Sequence, residues 1–304
     1  MSRRLQMLQV ARLAQRTLGE ATGLVANYLE NLVLSDGSYA NRDGKADLYY
    51  TSFALDALAA VDRLPNEHHQ PEIAHRTRHW LSTFGDGESL DFVHRCCLAR
   101  AWASQPASVQ PSGLAEALAV RIADNCSADG GYATRSGASR GTAYGCFLAL
   151  NALEDLGVPV HATPQRQAIS DSLHQLRSDD GGWANAPGQP LGSTTATAAA
   201  IATLCSLELT VPTEAGAFLL AQQHPTGGFL ATPDTPLPDL LSTAVALHAL
   251  DAVDVNWRKQ QDLVLDYLDS LWSAEGGFHG SWADDVIDAE YTYYGLVALG
   301  HASV

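Results

Sequence analysis

The sequence predicts an all-α protein, an (α/α)6 barrel built from six helix-pair repeats. Three observations predict it. Glycine turns recur every 44 to 51 residues along the 304-residue chain. A helix-start pattern of the form Asp-x-x-x-Thr/Ser follows the turns. The segments after those starts are rich in small and apolar residues on nearly every face, as in Ala196 to Ala202. Such a helix is buried all round, and a repeat at this period is a supersecondary unit that needs neighbours to bury its apolar face.

The turns are Asp36-Gly37-Ser38-Tyr39, Gly85-Asp86-Gly87, Asp129-Gly130-Gly131-Tyr132, Asp180-Gly181-Gly182-Trp183, Gly227-Gly228-Phe229 and Gly276-Gly277-Phe278. Helix starts follow at Asp47, Asp91, Asp239 and Asp288, whose carboxylates suit an N-cap; Thr142 and Ser193 stand in the same place in repeats three and four and cap equally well. Second helices are expected over 48–61, 92–104, 142–155, 194–207, 240–252 and 289–302. First helices are expected over 71–83, 113–126, 165–177, 213–223 and 257–273, with residues 4–33 reading as one amphipathic helix that leads into the first turn. Pro65, Pro159 and Pro212 mark links between units. Helix pairs can open as a solenoid or close as a ring; the long glycine-turn loops and the apolar second helices favour a ring with those helices inside. Six continuous repeats predict a single domain, 1–304.

The formal net charge is −16, and its placement is uneven: residues 1–150 carry 14 basic and 15 acidic side chains, residues 151–304 carry 4 and 19. Such a surface repels nucleic acid and anionic membranes. Helix caps and turns account for many of the acids, and the acidic second half offers a docking face to a basic protein partner. Five cysteines with no metal-type spacing read as reduced thiols, which predicts a cytoplasmic location. The N-terminus lacks a signal-peptide core, and no apolar run reaches the roughly 18 residues of a membrane span.

The combination of Gly-Gly-aromatic, loop, Asp-x-x-x-Thr/Ser and Ala/Leu helix resembles the prenyltransferase/squalene-cyclase repeat family, which includes protein prenyltransferase β-subunits and class II terpene cyclases. Leu237-Pro238-Asp239 with Ser242-Thr243 resembles the fifth-repeat signature of geranylgeranyltransferase β-subunits, and Asp288 to Leu299 resembles their last one. The resemblance implies a toroid whose inner helices begin at a central apolar cavity, with an isoprenoid-type substrate. Its chemistry departs from the pattern. Of the family's zinc ligands only Asp239 remains, with Leu241 and Tyr291 at the Cys and His positions, so no cofactor or metal is expected. Residues 230–238 lack the basic pair that grips a diphosphate, and Asp239-Leu240-Leu241-Ser242 replaces the cyclase Asp-x-Asp-Asp.

In a closed ring, the two residues before each Thr-type position point at the cavity mouth. This makes Tyr50, His94, Glu290 and Tyr291 the candidate catalytic groups, with Glu290 as a desolvated proton donor and His94 as a base or orienting group. Tyr49, Tyr144, Ser242, Asp239 and Arg140 are candidate substrate-binding residues; Arg135 and Arg140, which flank the third-repeat loop near an inner helix start, are the candidates for gripping a diphosphate. Each has a plainer explanation: a first-turn carboxylate suits the helix dipole, tyrosines pack, and loop arginines are solvated. Three functions fit: a prenyltransferase- or terpene cyclase-like enzyme using acid–base chemistry without zinc, a non-catalytic β-subunit-like binding or scaffolding protein, and a glycosidase drawing on Asp284, Asp285, Asp288 and Glu290 as paired carboxylates. The first is favoured.

Overall fold

The computed structural model describes residues 2–304. Six inner helices form a ring: α4 (Leu48–Ala60), α6 (Phe92–Ala103), α8 (Ala143–Asp155), α10 (Thr194–Ser206), α12 (Leu240–Ala252) and α14 (Ala289–Ala302). Each packs on the next, and α14 packs on α4, which closes the circle. Six outer helices alternate with them: α3 (Thr22–Asn31), α5 (Pro71–Ser82), α7 (Leu114–Ala123), α9 (Arg166–His174), α11 (Thr213–Ala221) and α13 (Gln261–Ser270). Among the described residues, strand pairing is confined to isolated bridges, most of them flanking the turns, such as Val33 with Tyr39 and Trp272 with Phe278.

The repeat signature has a mechanical cause. Every inner helix is capped as its sequence predicts: Asp47, Asp91, Thr142, Ser193, Asp239 and Asp288 each accept from a backbone N–H of their own first turn. The aromatic residue after the glycines then donates its backbone N–H to the Thr hydroxyl inside the helix. Tyr39 bonds Thr51, Trp183 bonds Thr197 and Phe229 bonds Thr243, each at 2.9 Å. Repeat three keeps the contact with Cys146 Sγ as acceptor. Repeat two has no aromatic and places Arg95 in the Thr position, its Nε donating to the Gly87 carbonyl.

The first glycine of a turn is fixed by the neighbouring outer helix. Gly227 has φ +102°, and a Cβ there would lie 2.0 Å from the Leu263 carbonyl oxygen of α13. Gly276 has φ +99° and abuts Leu24 of α3, so the last turn seats against the first outer helix. Positive φ and the absence of a side chain are both required, which is why glycine marks the period.

One expected element divides. Residues 4–33 form α1 (Arg3–Leu13), a short α2 (Gln15–Leu18) and α3, with Gly19 at φ +52° between them. Only α3 joins the outer ring. α1 turns beneath the barrel and packs on α14, α4 and α8, so closely that a Cβ at Gly300 would overlap the Val10 carbonyl. Its polar groups meet the C-terminal ends of inner helices: Arg12 Nε on the Ala59 carbonyl, Ser2 Oγ on Asp155, Arg3 Nε on Ser206 Oγ. Cationic side chains there complement the helix dipoles. The ring therefore has a mouth, at the inner N-termini, and a floor.

Candidate functional site

A cavity of about 410 Å3 fills the ring between mouth and floor, within the size of small-molecule sites. Its wall follows one face of each inner helix, in three tiers. The second residues form the mouth tier: Tyr49, Tyr144, Thr195, Leu241 and Glu290. The sixth residues form an apolar and aromatic waist: Phe53, Cys97, Leu148, Ala199, Val245 and Tyr294. The ninth residues bring polarity back with Arg100, Asn151 and His248. Spacings of three, four and seven keep side chains on one helical face.

Glu290 is the only carboxylate of the mouth tier. Tyr49 Oη donates to its Oε1 at 2.6 Å. Burial pushes the Glu290 carboxyl above the usual glutamate value, with the Tyr49 bond opposing the shift. Tyr49 and Phe53 lie ring to ring at 4.9 Å, and Phe53 and Tyr294 at 5.5 Å, so the acid sits at the edge of an aromatic wall.

The other expected site residues divide cleanly. Tyr144 lines the mouth, its backbone N–H held by Asn185 Oδ1 at 3.0 Å. Four of the third residues, Tyr50, His94, Ser242 and Tyr291, are turned off the wall, although Ala196 of α10 lines it: a step of one residue rotates a side chain by about 100°. Tyr50 stacks edge-on against Tyr49 and does not line the cavity. His94 Nδ1 lies 2.9 Å from both oxygens of Asp91, the cap of its own helix, so the arc expected to join it to Glu290 is not formed. Tyr291 packs over Gly280 with Arg42 5.3 Å from its ring centre. Ser242 is bound to both oxygens of Asp239 through its N–H and hydroxyl; Asp239 is thus a cap, raised by burial. Arg140 is exposed on the loop before α8.

The paired carboxylates of a glycosidase are likewise absent from the wall. Arg42 binds Asp288 at 2.6 Å and Asp284 at 2.8 Å outside the cavity, tying the first repeat's loop to the last. The wall carboxylates are Glu290 at the mouth and Asp155 at the floor, on opposite ends of the cavity. Three groups at the wall carry no mark of the repeat pattern in the sequence: Arg100, His248 and the α1 residues of the floor. Arg100 and Arg4 share buried Asp56, at 2.6 Å and 2.8 Å. Asp155 accepts from Ser2 Oγ, and burial pushes its carboxyl up to about 6.

A family model described as the prenyltransferase alpha-alpha toroid domain matches residues 132–216 and 211–302, more than half of the chain. The chain belongs to this toroid family. Among solved structures, the toroid is similar to a type II terpene cyclase from Scytonema, a variant of which was solved with its substrate geranylgeranyl dihydroxybenzoate (TM-score 0.61, 14% identity, covering 96% of this chain and 97% of that one). It is also similar to Candida albicans protein geranylgeranyltransferase-I complexed with GGPP (TM-score 0.67, 14% identity, 91% and 90% covered). The GH76A alpha-1,6-mannanase of Salegentibacter shares the fold too (TM-score 0.63, 14% identity, 93% and 98% covered). No curated protein sequence matches significantly.

The toroid family implies zinc in its protein prenyltransferases, and the residues here do not fit it. Asp239 is consumed by its cap, Leu241 and Tyr291 have no suitable donor set, and among the described residues no group of three or more His, Cys, Asp or Glu is placed to hold a metal ion. Among the described residues, no helix is long and apolar enough to cross a membrane.

Proposed function

We propose that this toroid binds an apolar, isoprenoid-type chain in its central cavity and protonates it from Glu290, in the manner of a terpene cyclase and without zinc. The observation that carries the proposal is a buried carboxyl, hydrogen-bonded by Tyr49, at the rim of an aromatic waist. Burial keeps that acid protonated above the ordinary glutamate range, and the faces of Phe53, Tyr144 and Tyr294 attract positive charge as it develops on the chain. The Glu290 proton adds to a carbon–carbon double bond, whose π pair forms the new C–H bond. Ring closure moves the charge along the chain, a water takes up the proton lost from the carbon next to the final cation, and that proton passes through water at the mouth back to the Glu290 carboxylate. His94, Tyr50 and Tyr291 take no part, since they do not reach the wall.

The five unpaired thiols support a cytoplasmic setting, and the acidic second half remains the surface for a basic protein partner. The test is incubation with geranylgeraniol, geranylgeranyl diphosphate and geranylgeranoic acid in heavy water. A product isomeric with the probe and carrying one new deuterium is expected. Recovery of every probe unlabelled and uncyclised would favour the binding or scaffolding alternative.

A further inference from the structure

The floor tier has a chemistry of its own. Arg100 and His248 are both ninth residues of inner helices, and α6 and α12 stand opposite one another in the ring of six. Both line the cavity, so they face each other across it. At 1.5 Å per residue they lie ~10 Å below Glu290 along the axis.

Arg100 spends only its Nε on Asp56, at 2.6 Å. Its guanidinium lies 4.2 Å from the Phe53 ring centre and 5.1 Å from that of Tyr293. Among the described residues no acceptor meets its two terminal amino groups, and its 23% side-chain exposure is to the cavity. His248 Nδ1 is 3.1 Å from His301 Nε2, and His301 Nδ1 is 2.7 Å from Asp251. Asp251 is further held by Trp257 Nε1 at 2.8 Å and Arg258 at 2.9 Å. His248 Nε2 is buried and has no partner among the described residues. Burial, then the neighbouring His301, push the His248 ring down to about 3, so it is neutral.

The charges at the floor leave the same group open. Arg3, Arg4 and Arg100 gather at the floor against Asp56 and Asp155, while Glu154 lies off the wall on the backbone N–H of Arg3. With Glu154 set against Arg3 the cluster is balanced in charge, and the group left for a ligand to complete is the Arg100 guanidinium, whose terminal amino groups face the cavity.

We propose that the floor is a head-group subsite for a carboxylate: the carboxylate forks onto the terminal amino groups of Arg100, His248 Nε2 bonds its far oxygen, and the apolar chain rises past Phe53 and Tyr294 toward Glu290. The proposal rests on the chain-binding function above. When His301 carries both ring protons it donates to Asp251 and to His248 Nδ1, which leaves the His248 Nε2–H to donate to a carboxylate; when His301 is neutral, His248 Nδ1 donates to it and Nε2 presents a lone pair to a carboxylic acid. One negative charge matches the single open guanidinium of Arg100; a diphosphate brings more than one.

Calorimetric titration of the full chain with three probes sharing one chain tests this: geranylgeranoic acid, geranylgeraniol and geranylgeranyl diphosphate. The acid is expected to bind ~10-fold or more tighter than the alcohol, the scale of a charge-assisted pair. Arg100→Gln should abolish that preference with the alcohol affinity unchanged. His248→Leu leaves the Asp56 pair intact and should reduce the preference several-fold, so the subsite is tested even if Arg100→Gln does not fold. Equal affinity for acid and alcohol, or a larger Arg100-dependent gain for the diphosphate, overturns the subsite alone. Failure of all three probes to bind overturns the chain-binding function together with it.

Discussion

Glu290→Gln is expected to lower turnover of any prenyl probe by roughly 10^2- to 10^4-fold, the usual contribution of a positioned general acid, with KM little changed. Gln keeps the volume and still accepts from Tyr49 Oη, but it has no acidic proton. The same substitution should leave the thermal midpoint unchanged or slightly higher. Burial raises the folded pKa of Glu290 above its unfolded value, so as pH climbs the unfolded chain releases its proton first. Stability due to this group is therefore greatest at low pH and declines as pH rises through the glutamate range toward the folded pKa. Gln removes that slope. A variant that retains wild-type turnover, or one that loses it only because it unfolds, would contradict the assignment of Glu290 as the acid.

Asp56→Asn is expected to be the costliest single change to the fold. Asp56 is fully buried, with Arg4 on one oxygen and Arg100 on the other. Removing its charge strands two guanidinium groups in a low-dielectric setting, and breaking a buried pair in this way costs about 3–5 kcal/mol. Arg4 belongs to α1, so the loss should also loosen the floor. Urea unfolding followed by circular dichroism gives the energy, and limited proteolysis reports on α1. A penalty under about 1 kcal/mol would mean that solvent reaches the cluster and that the floor is not closed.

The barrel was legible because its signals are local. A positive-φ glycine, an Asp, Thr or Ser cap and a Thr hydroxyl that receives the aromatic N–H lie within about a dozen residues of one another, and each leaves a residue type behind. The mouth tier was half legible for the same reason. The helix start located the rim, which gave Tyr49, Tyr144 and Glu290, but choosing between second and third residues needs the helix rotation. Tyr50, His94, Ser242 and Tyr291 fell on the wrong side of that step. The floor was hidden. Arg100, Asn151 and His248 stand seven residues below the mouth tier on the same helical face, two turns beyond the helix-start pattern that marks the rim. α1 carries no repeat mark at all, since its place beneath the ring comes from tertiary contacts of Arg3, Arg4 and Ser2 with distant helices.

A crystal structure of the wild-type protein grown with geranylgeraniol tests the claim that the hollow of the ring holds a prenyl chain. The expected result is a chain threaded between Phe53 and Tyr294, with a double-bond carbon within about 3.5 Å of a Glu290 oxygen, the separation of a near-attack arrangement. A hollow filled with ordered water, or a probe bound only on the outer helices, would contradict it.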